Sequence, residues 1–217
     1  MQIQAVIFDM DGTLINSEPI WNEAEVQYFN QQGYPVTRAD IANLRGLHIG
    51  GVTDYVLHHY ADYHSGKSPE ELSQELLDYA IAIILKKKPL IDGVRETLSY
   101  LHEKKIKLAV ASASPLYMLE EIVKSCGIAQ YFDYLSSAEE LEYNKPHPMV
   151  YLHAAQKLGV PAKHCLAVED SVTGMISAKS ANMKCAVVPE SEHWHDARWA
   201  ISDFKFTQIS EIKKLFD

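Results

Sequence analysis

The sequence predicts an α/β fold, a doubly wound parallel sheet interrupted by one inserted helical domain. Three observations carry that prediction. Short apolar runs alternate with helix-like stretches over most of the chain, a purely helical stretch follows the first run, and acidic and hydroxyl residues gather where the runs end. The apolar runs are residues 3–8, 108–111, 165–168 and 185–188, rich in Val, Ile, Ala and Leu. Each is too short for a free-standing helix and reads as a buried strand. Helix-like stretches at 94–105, 149–158 and 172–181 precede the later three runs, and that order predicts βαβ units. A weaker strand is expected at 131–135, after a helix over 116–126 that ends at Gly127. Between residues 16 and 88 the pattern changes. Segments 23–32, 51–59 and 70–87 are amphipathic, and no strand-like run separates them. Pro19 and Gly93 lie near the two junctions. The expected division is therefore an α/β core of residues 1–15 and 89–217, with a helical insertion at 16–88. Lys86, Lys87 and Lys88 read as a solvated helix end before Pro89.

The chain has 217 residues, 47% hydrophobic and 23% charged, which excludes disordered, collagenous and fibrous classes. Lys and Arg number 20 against 29 Asp and Glu, a net charge of −9, which disfavours tracking a phosphate backbone. Three scattered cysteines without a C-x-x-C argue against a disulfide framework or zinc knuckle and fit a reducing compartment. The start lacks a basic leader, and no apolar stretch approaches the ~20 residues of a membrane span. The expectation is a cytoplasmic monomer with a small-molecule substrate and neither nucleic acid nor membrane as partner.

Polar residues cluster at the C-terminal ends of the strands, the edge at which open parallel sheets bind ligands. Asp9-Met10-Asp11-Gly12-Thr13 follows the first run, Ser112-Ala113-Ser114-Pro115 the second, and Glu169-Asp170-Ser171 the third. Adjacent carboxylates at the end of a buried strand are costly unless something neutralises them. Their convergence invites a hard cation with oxygen ligands, Mg2+ being the usual choice. Each piece also has a plainer explanation. Asp9 could open a turn with Gly12, and Ser114 could be an N-cap with Pro115 at the first helical position. Lys145 could be a loop lysine, Glu169 a structural carboxylate, and His147 a loop residue between prolines. The histidines show no H-E-x-x-H or comparable metal-ligand spacing.

The set Asp9-Met10-Asp11-Gly12-Thr13, Ser112, Lys145-Pro146 and Glu169-Asp170 resembles the four motifs of the haloacid-dehalogenase-like hydrolases, in order and over nearly the whole chain. The segments 16–21, 111–116 and 143–148 look similar to bacterial hexitol and 2-deoxyglucose-6-phosphate phosphatases, in the branch that also holds β-phosphoglucomutase. The resemblance implies a Rossmann-like core with a helical cap and a Mg2+-dependent phosphatase acting on small sugar or sugar-alcohol phosphates. It implies Asp9 as the nucleophile that becomes an aspartyl-phosphate, and Asp11 as the acid and then the base. Ser112, with the Ala113 amide, and Lys145 would bind the phosphoryl group. Mg2+ would lie on an Asp9 oxygen, the Asp11 carbonyl and Asp170, with Glu169 a direct or indirect helper. Gly12 and Thr13 would support the loop.

In capped members the insertion closes over the core and supplies substrate contacts. Candidate contacts here are Glu18, Trp21, Arg45, Gly46, Leu47, His48 and Ser114, although Trp21 and Leu47 could equally pack a core and Arg45 could be a solvated charge. β-Phosphoglucomutase-like proteins carry a His at the position of Trp21 and an Arg soon after the Gly matching Gly46. This chain reads Gly46-Leu47-His48-Ile49, which favours hydrolysis over phosphoryl return to the sugar. A Schiff-base lysine of the phosphonatase kind is not identifiable, and dehalogenases lack the second Asp that is present here as Asp11. The competing readings are a sugar phosphomutase and a non-catalytic binding or regulatory protein on the same fold.

Overall fold

Strands buried on both faces read as near-continuous apolar runs, and runs of that kind pair in parallel under two layers of helices. In the computed structural model, which describes residues 3–44, 47 and 49–217, they form β1 (Ala5–Phe8), β2 (Lys107–Ser112), β3 (Tyr134–Ser137), β4 (Cys165–Glu169), β5 (Lys184–Val187) and β6 (Phe204–Lys205). Every pairing is parallel, and the sheet order is β3-β2-β1-β4-β5-β6. The first strand is thus central. The chain builds outward through β2 to β3 and then crosses to the other side of β1 with β4, which makes the β1–β4 end the topological switch point.

The helices of this core are α5 (Val94–Glu103), α6 (Leu116–Ser125), α7 (Met149–Leu158) and α8 (Val172–Ser180). Alternation along the strands sends Ala5 and Ile7 to one face, where they pack with Val150, Tyr151 and Ala154 of α7 and Met175 of α8. Val6, Phe8, Leu108 and Val110 point the other way and are also fully buried, on the side left to α5 and α6. Trp199 packs into the α7–α8 cluster and donates from its indole Nε1 to the His193 carbonyl (2.7 Å). The segment after β5 therefore helps cover the sheet. The three cysteines are free and buried, and no helix among the described residues is long and apolar enough to cross a membrane.

The chain divides into two compact units, residues up to Asn16 with Lys88–Asp217 and, separately, Ser17–Lys87. The second unit holds α1 (Glu18–Gln31), α2 (Arg38–Ala42), α3 (Ile49–His59) and α4 (Pro69–Lys87). Their apolar faces meet in one cluster that includes Tyr28, Phe29, Tyr34, Ile41, Val56, Leu72 and Leu76. Tyr28 donates to Glu75 (2.9 Å) and Lys87 pairs with Glu23 (2.7 Å), tying α4 to α1 at two heights. Where the chain leaves and re-enters the core it runs alongside itself. The Asn16 amide donates to the Pro89 carbonyl (2.8 Å), the Ile91 amide to the Leu14 carbonyl (3.0 Å), and Ile15 bridges Leu90 in antiparallel fashion.

Several elements depart from expectation. The third strand runs over Tyr134–Ser137, because residues Ala129–Tyr131 form a 3₁₀ turn first. Helix α1 starts at Glu18, since Pro19 occupies its first turn, where a missing N–H costs nothing. The short α2 and the two-residue β6 lack any periodic apolar signal. Helix α6 starts at Leu116 with Pro115 as its cap residue, so Ser114 is not an N-cap.

Candidate active site

The site is assembled at the carboxyl ends of β1, β2 and β4. Asp9 follows directly on β1, its amide donating to the Val168 carbonyl of β4 (2.9 Å). The chain then turns sharply, with the amides of Thr13, Leu14 and Ile15 all directed to the Met10 carbonyl. Gly12 makes that turn possible. Its φ is +80°, and a Cβ there would lie 2.1 Å from an oxygen of Asp170. The turn brings Thr13 Oγ1 to 3.4 Å from Asp170 Oδ1.

Four charged side chains meet in this space. Lys145 Nζ donates to Asp9 Oδ1 (2.6 Å) and to Glu169 Oε1 (2.7 Å), with its side chain only 8% exposed. Asp9, Glu169 and Asp170 each place a carboxylate oxygen within 4.8 Å of the others. Glu169 ends β4 and is wholly buried. Its Oε1 also accepts from the Tyr151 hydroxyl (2.6 Å), and its Oε2 from the Ser171 hydroxyl (3.0 Å). Ser171 in turn caps α8 by accepting from the Gly174 amide (3.0 Å). Three carboxylates against one ammonium leave two negative charges uncompensated in a nearly closed space.

The electrostatics follow from that imbalance. Burial raises Asp9 to about 7; Lys145 opposes the shift, while Glu169 and Asp11 add to it. Burial, then the charges of Asp9 and Glu169, push Asp170 well above the usual carboxylate range. Burial alone would lower Lys145, but Asp9 and Glu169 outweigh it and hold the ammonium firmly protonated. A site whose acids resist ionisation until positive charge arrives has the donor set for a hard cation: oxygen ligands, net negative, close together. The described residues fit such an ion.

Asp11 lies half-buried beside this cluster and accepts a hydrogen bond from the Ser114 hydroxyl (2.8 Å). Ser112, the last residue of β2, is buried, and its Oγ accepts from the Ser114 amide (3.1 Å). The Ser137 hydroxyl, at the end of β3, donates to the Ser114 carbonyl (2.7 Å). The loop carrying Ser112, Ala113 and Ser114 is thus fixed from two strands, with Ala113 exposed at its tip. His147 is an exposed loop residue against the ring of Tyr143. In the helical unit, Glu18 and Trp21 sit in the first turns of α1, each partly buried, and Leu47 is 52% exposed, so it packs no core. Arg45, Gly46 and His48 lie outside the described residues. Tyr151, which sequence reasoning left among the helix residues, is a part of the cluster. The available signal was a tyrosine on a core-facing helix position, whose hydroxyl needs a buried partner.

Comparison with known proteins places this geometry in a family. Residues 6–188 match the model of the haloacid dehalogenase-like hydrolases. The chain is 41% identical to hexitol phosphatase B of Escherichia coli (strain K12) over 212 residues, covering 97% of this chain and 95% of the relative. It is 29% identical to validoxylamine A 7'-phosphate phosphatase of Streptomyces hygroscopicus subsp. limoneus, covering 97% and 96%. The crystal structure of CbbY from Rhodobacter sphaeroides in complex with phosphate superposes with a TM-score of 0.84 at 24% identity, over 97% of this chain and 96% of that one, a likeness of fold. On the family match and the long, 41% identical alignment, the chain belongs to the haloacid dehalogenase-like hydrolases.

Proposed function

We propose that the protein is a Mg2+-dependent phosphatase of small sugar or sugar-alcohol phosphates that works through an aspartyl-phosphate on Asp9. The observation that carries this reading is the buried cluster of Asp9, Glu169 and Asp170 around Lys145. An oxygen of Asp9, the Asp11 backbone carbonyl and Asp170 would hold the cation. Glu169, with both oxygens already engaged, stands behind them. When bound, Mg2+ would supply positive charge that offsets the repulsion of a carboxylate attacking an anionic phosphoryl group. Asp9 must be ionised to attack, and its burial requires exactly that kind of neighbour.

In the first half-reaction an Asp9 oxygen forms a bond to phosphorus, and the ester oxygen departs with a proton from Asp11. In the second, water attacks the phosphorus as Asp11 takes its proton, and Asp9 is regenerated with release of inorganic phosphate. Lys145 keeps its two carboxylate partners and offers its remaining N–H to the transferring group, while the Ser112 hydroxyl and Ala113 amide bind the other oxygens. The choice of sugar or sugar-alcohol phosphate rests on the hexitol phosphatase relative and on Trp21 standing where the mutase branch carries a His. Glu18, Trp21, Leu47, the residues Arg45, Gly46 and His48, and Ser114 are the candidates for contact with the polyol.

The test is phosphate release from hexose, pentose and hexitol phosphates, with Mg2+ and with EDTA, for wild type and Asp9→Asn. Mg2+-dependent release that vanishes in Asp9→Asn is the expected result. Isomerised sugar phosphate without free phosphate would replace the phosphatase with a mutase.

A further inference from the structure

The lysine at the centre of the cluster serves two carboxylates at nearly equal distance, 2.6 Å to Asp9 and 2.7 Å to Glu169. Nothing in the pair itself enforces that balance. Glu169 is the more buried partner, wholly enclosed, and an ammonium shared between two anions moves toward the one with fewer other donors. Glu169 does not lack other donors. The Tyr151 hydroxyl donates to the same oxygen that Lys145 uses, at 2.6 Å, while Ser171 serves the second oxygen. The carboxylate also rests against Gly174, where a Cβ would stand 1.9–2.1 Å from its atoms, so it has no room to turn away. The ring of Tyr151 borders the ammonium from its own side, with Nζ 5.2 Å from the ring centroid.

From this arrangement we infer that Tyr151 is a positioning residue of the hydrolytic site: by sharing Oε1 of Glu169 it keeps Lys145 divided between Glu169 and Asp9. The inference rests on the phosphatase reading for its consequence in turnover, but its geometric content stands apart. Without the hydroxyl, Oε1 depends on Lys145 alone. The ammonium then tightens on Glu169 and loosens from Asp9 and from the phosphoryl oxygen it must meet. Tyr151 touches no reacting atom; it acts through Glu169 and Lys145. The loss should therefore fall on the chemical step more than on substrate binding.

The experiment compares wild type, Tyr151→Phe, Glu169→Gln and the double variant, using p-nitrophenyl phosphate with Mg2+, together with crystal structures of wild type and Tyr151→Phe. Phenylalanine keeps the packing of α7, and a thermal melt checks that the fold is retained. Expected are a kcat about tenfold lower in Tyr151→Phe, the effect of one hydrogen bond to a charged group, with KM little changed, and a Lys145 Nζ displaced from Asp9. On the Glu169→Gln background the tyrosine change should add nothing, because the group it acts on is already altered. The inference is overturned if Lys145 keeps both contacts in the Tyr151→Phe crystal structure. It is equally overturned if the two single losses multiply in full. Should wild type release no phosphate at all, the phosphatase reading fails, and the crystal structures alone decide the inference.

Discussion

At the scale of single residues, the site is bounded by two glycines whose missing side chains make room for carboxylates. At Gly12 the constraint is double, since φ is +80° and a Cβ would fall within 2.1 Å of Asp170. Gly12→Ala should lower phosphate release by about 10- to 100-fold, the range for disturbing the support of a metal ligand, with a smaller effect on the melting temperature. Steady-state kinetics beside a melt would check it. At Gly174 the two influences oppose one another. Alanine favours a helix by up to ~1 kcal/mol, but its Cβ would overlap the Glu169 carboxylate, and overpacking typically costs about 1–3 kcal/mol. Because that carboxylate is held by three side chains, Gly174→Ala should destabilise the protein, and urea unfolding gives the sign. The same scale shows what the sequence reveals of a site. Asp9, Glu169 and Asp170 could be located from the ends of apolar runs, as charges where charge is costly. Lys145, in a loop of prolines, carried no such signal apart from family resemblance. Tyr151 was hidden by its helix pattern, since an aromatic facing the core reads as packing until its hydroxyl's partner is known.

At the scale of elements, α1 carries the least expected feature, a glutamate on its buried face. Glu25 lies among Ile20, Ala24, Tyr28 and Phe29 on the inward side, and burial raises it to about 7. A carboxyl whose folded pKa exceeds the unfolded value of ~4.3 gives full stability below that value and loses it as pH rises toward 7. The loss reaches up to about 3 kcal/mol above neutrality. Glu25→Gln should therefore melt higher than wild type at pH 8 and show a shrinking advantage as pH falls to 5. Melts of both proteins across that range decide it, and an advantage independent of pH would count against the burial argument. Legibility followed the same physics across the elements. The central strands β1, β2, β4 and β5 were readable because burial on both faces leaves an unbroken apolar run. The 3₁₀ turn that delays β3 and the two-residue β6 depend on tertiary contacts that no short window records.

At the scale of the whole molecule, a chain of net charge −9 buries two of its uncompensated negative charges at the end of its sheet. The metal-free protein should lose stability as pH rises from the unfolded Asp value of ~3.9 toward about 7, the folded value of Asp9. Added Mg2+ should raise the melting temperature and flatten that decline; an ion present at 100 times its Kd contributes about 2.7 kcal/mol. Asp170→Asn should melt higher than wild type in EDTA, yet gain little from Mg2+, and a variant that kept the full gain would remove Asp170 from the ligand set. The hydrogen-bonded crossing of residues 14–16 with 89–91 has a consequence of another kind. It pins the two ends of the helical excursion side by side, and the entropic cost of closing such a loop grows only by about 0.6 kcal/mol for each doubling of length. The core is therefore nearly indifferent to what is threaded between those ends. A short linker, a longer bundle or another protein's insertion could be exchanged there as a cassette, with the sheet and its helices left as they are.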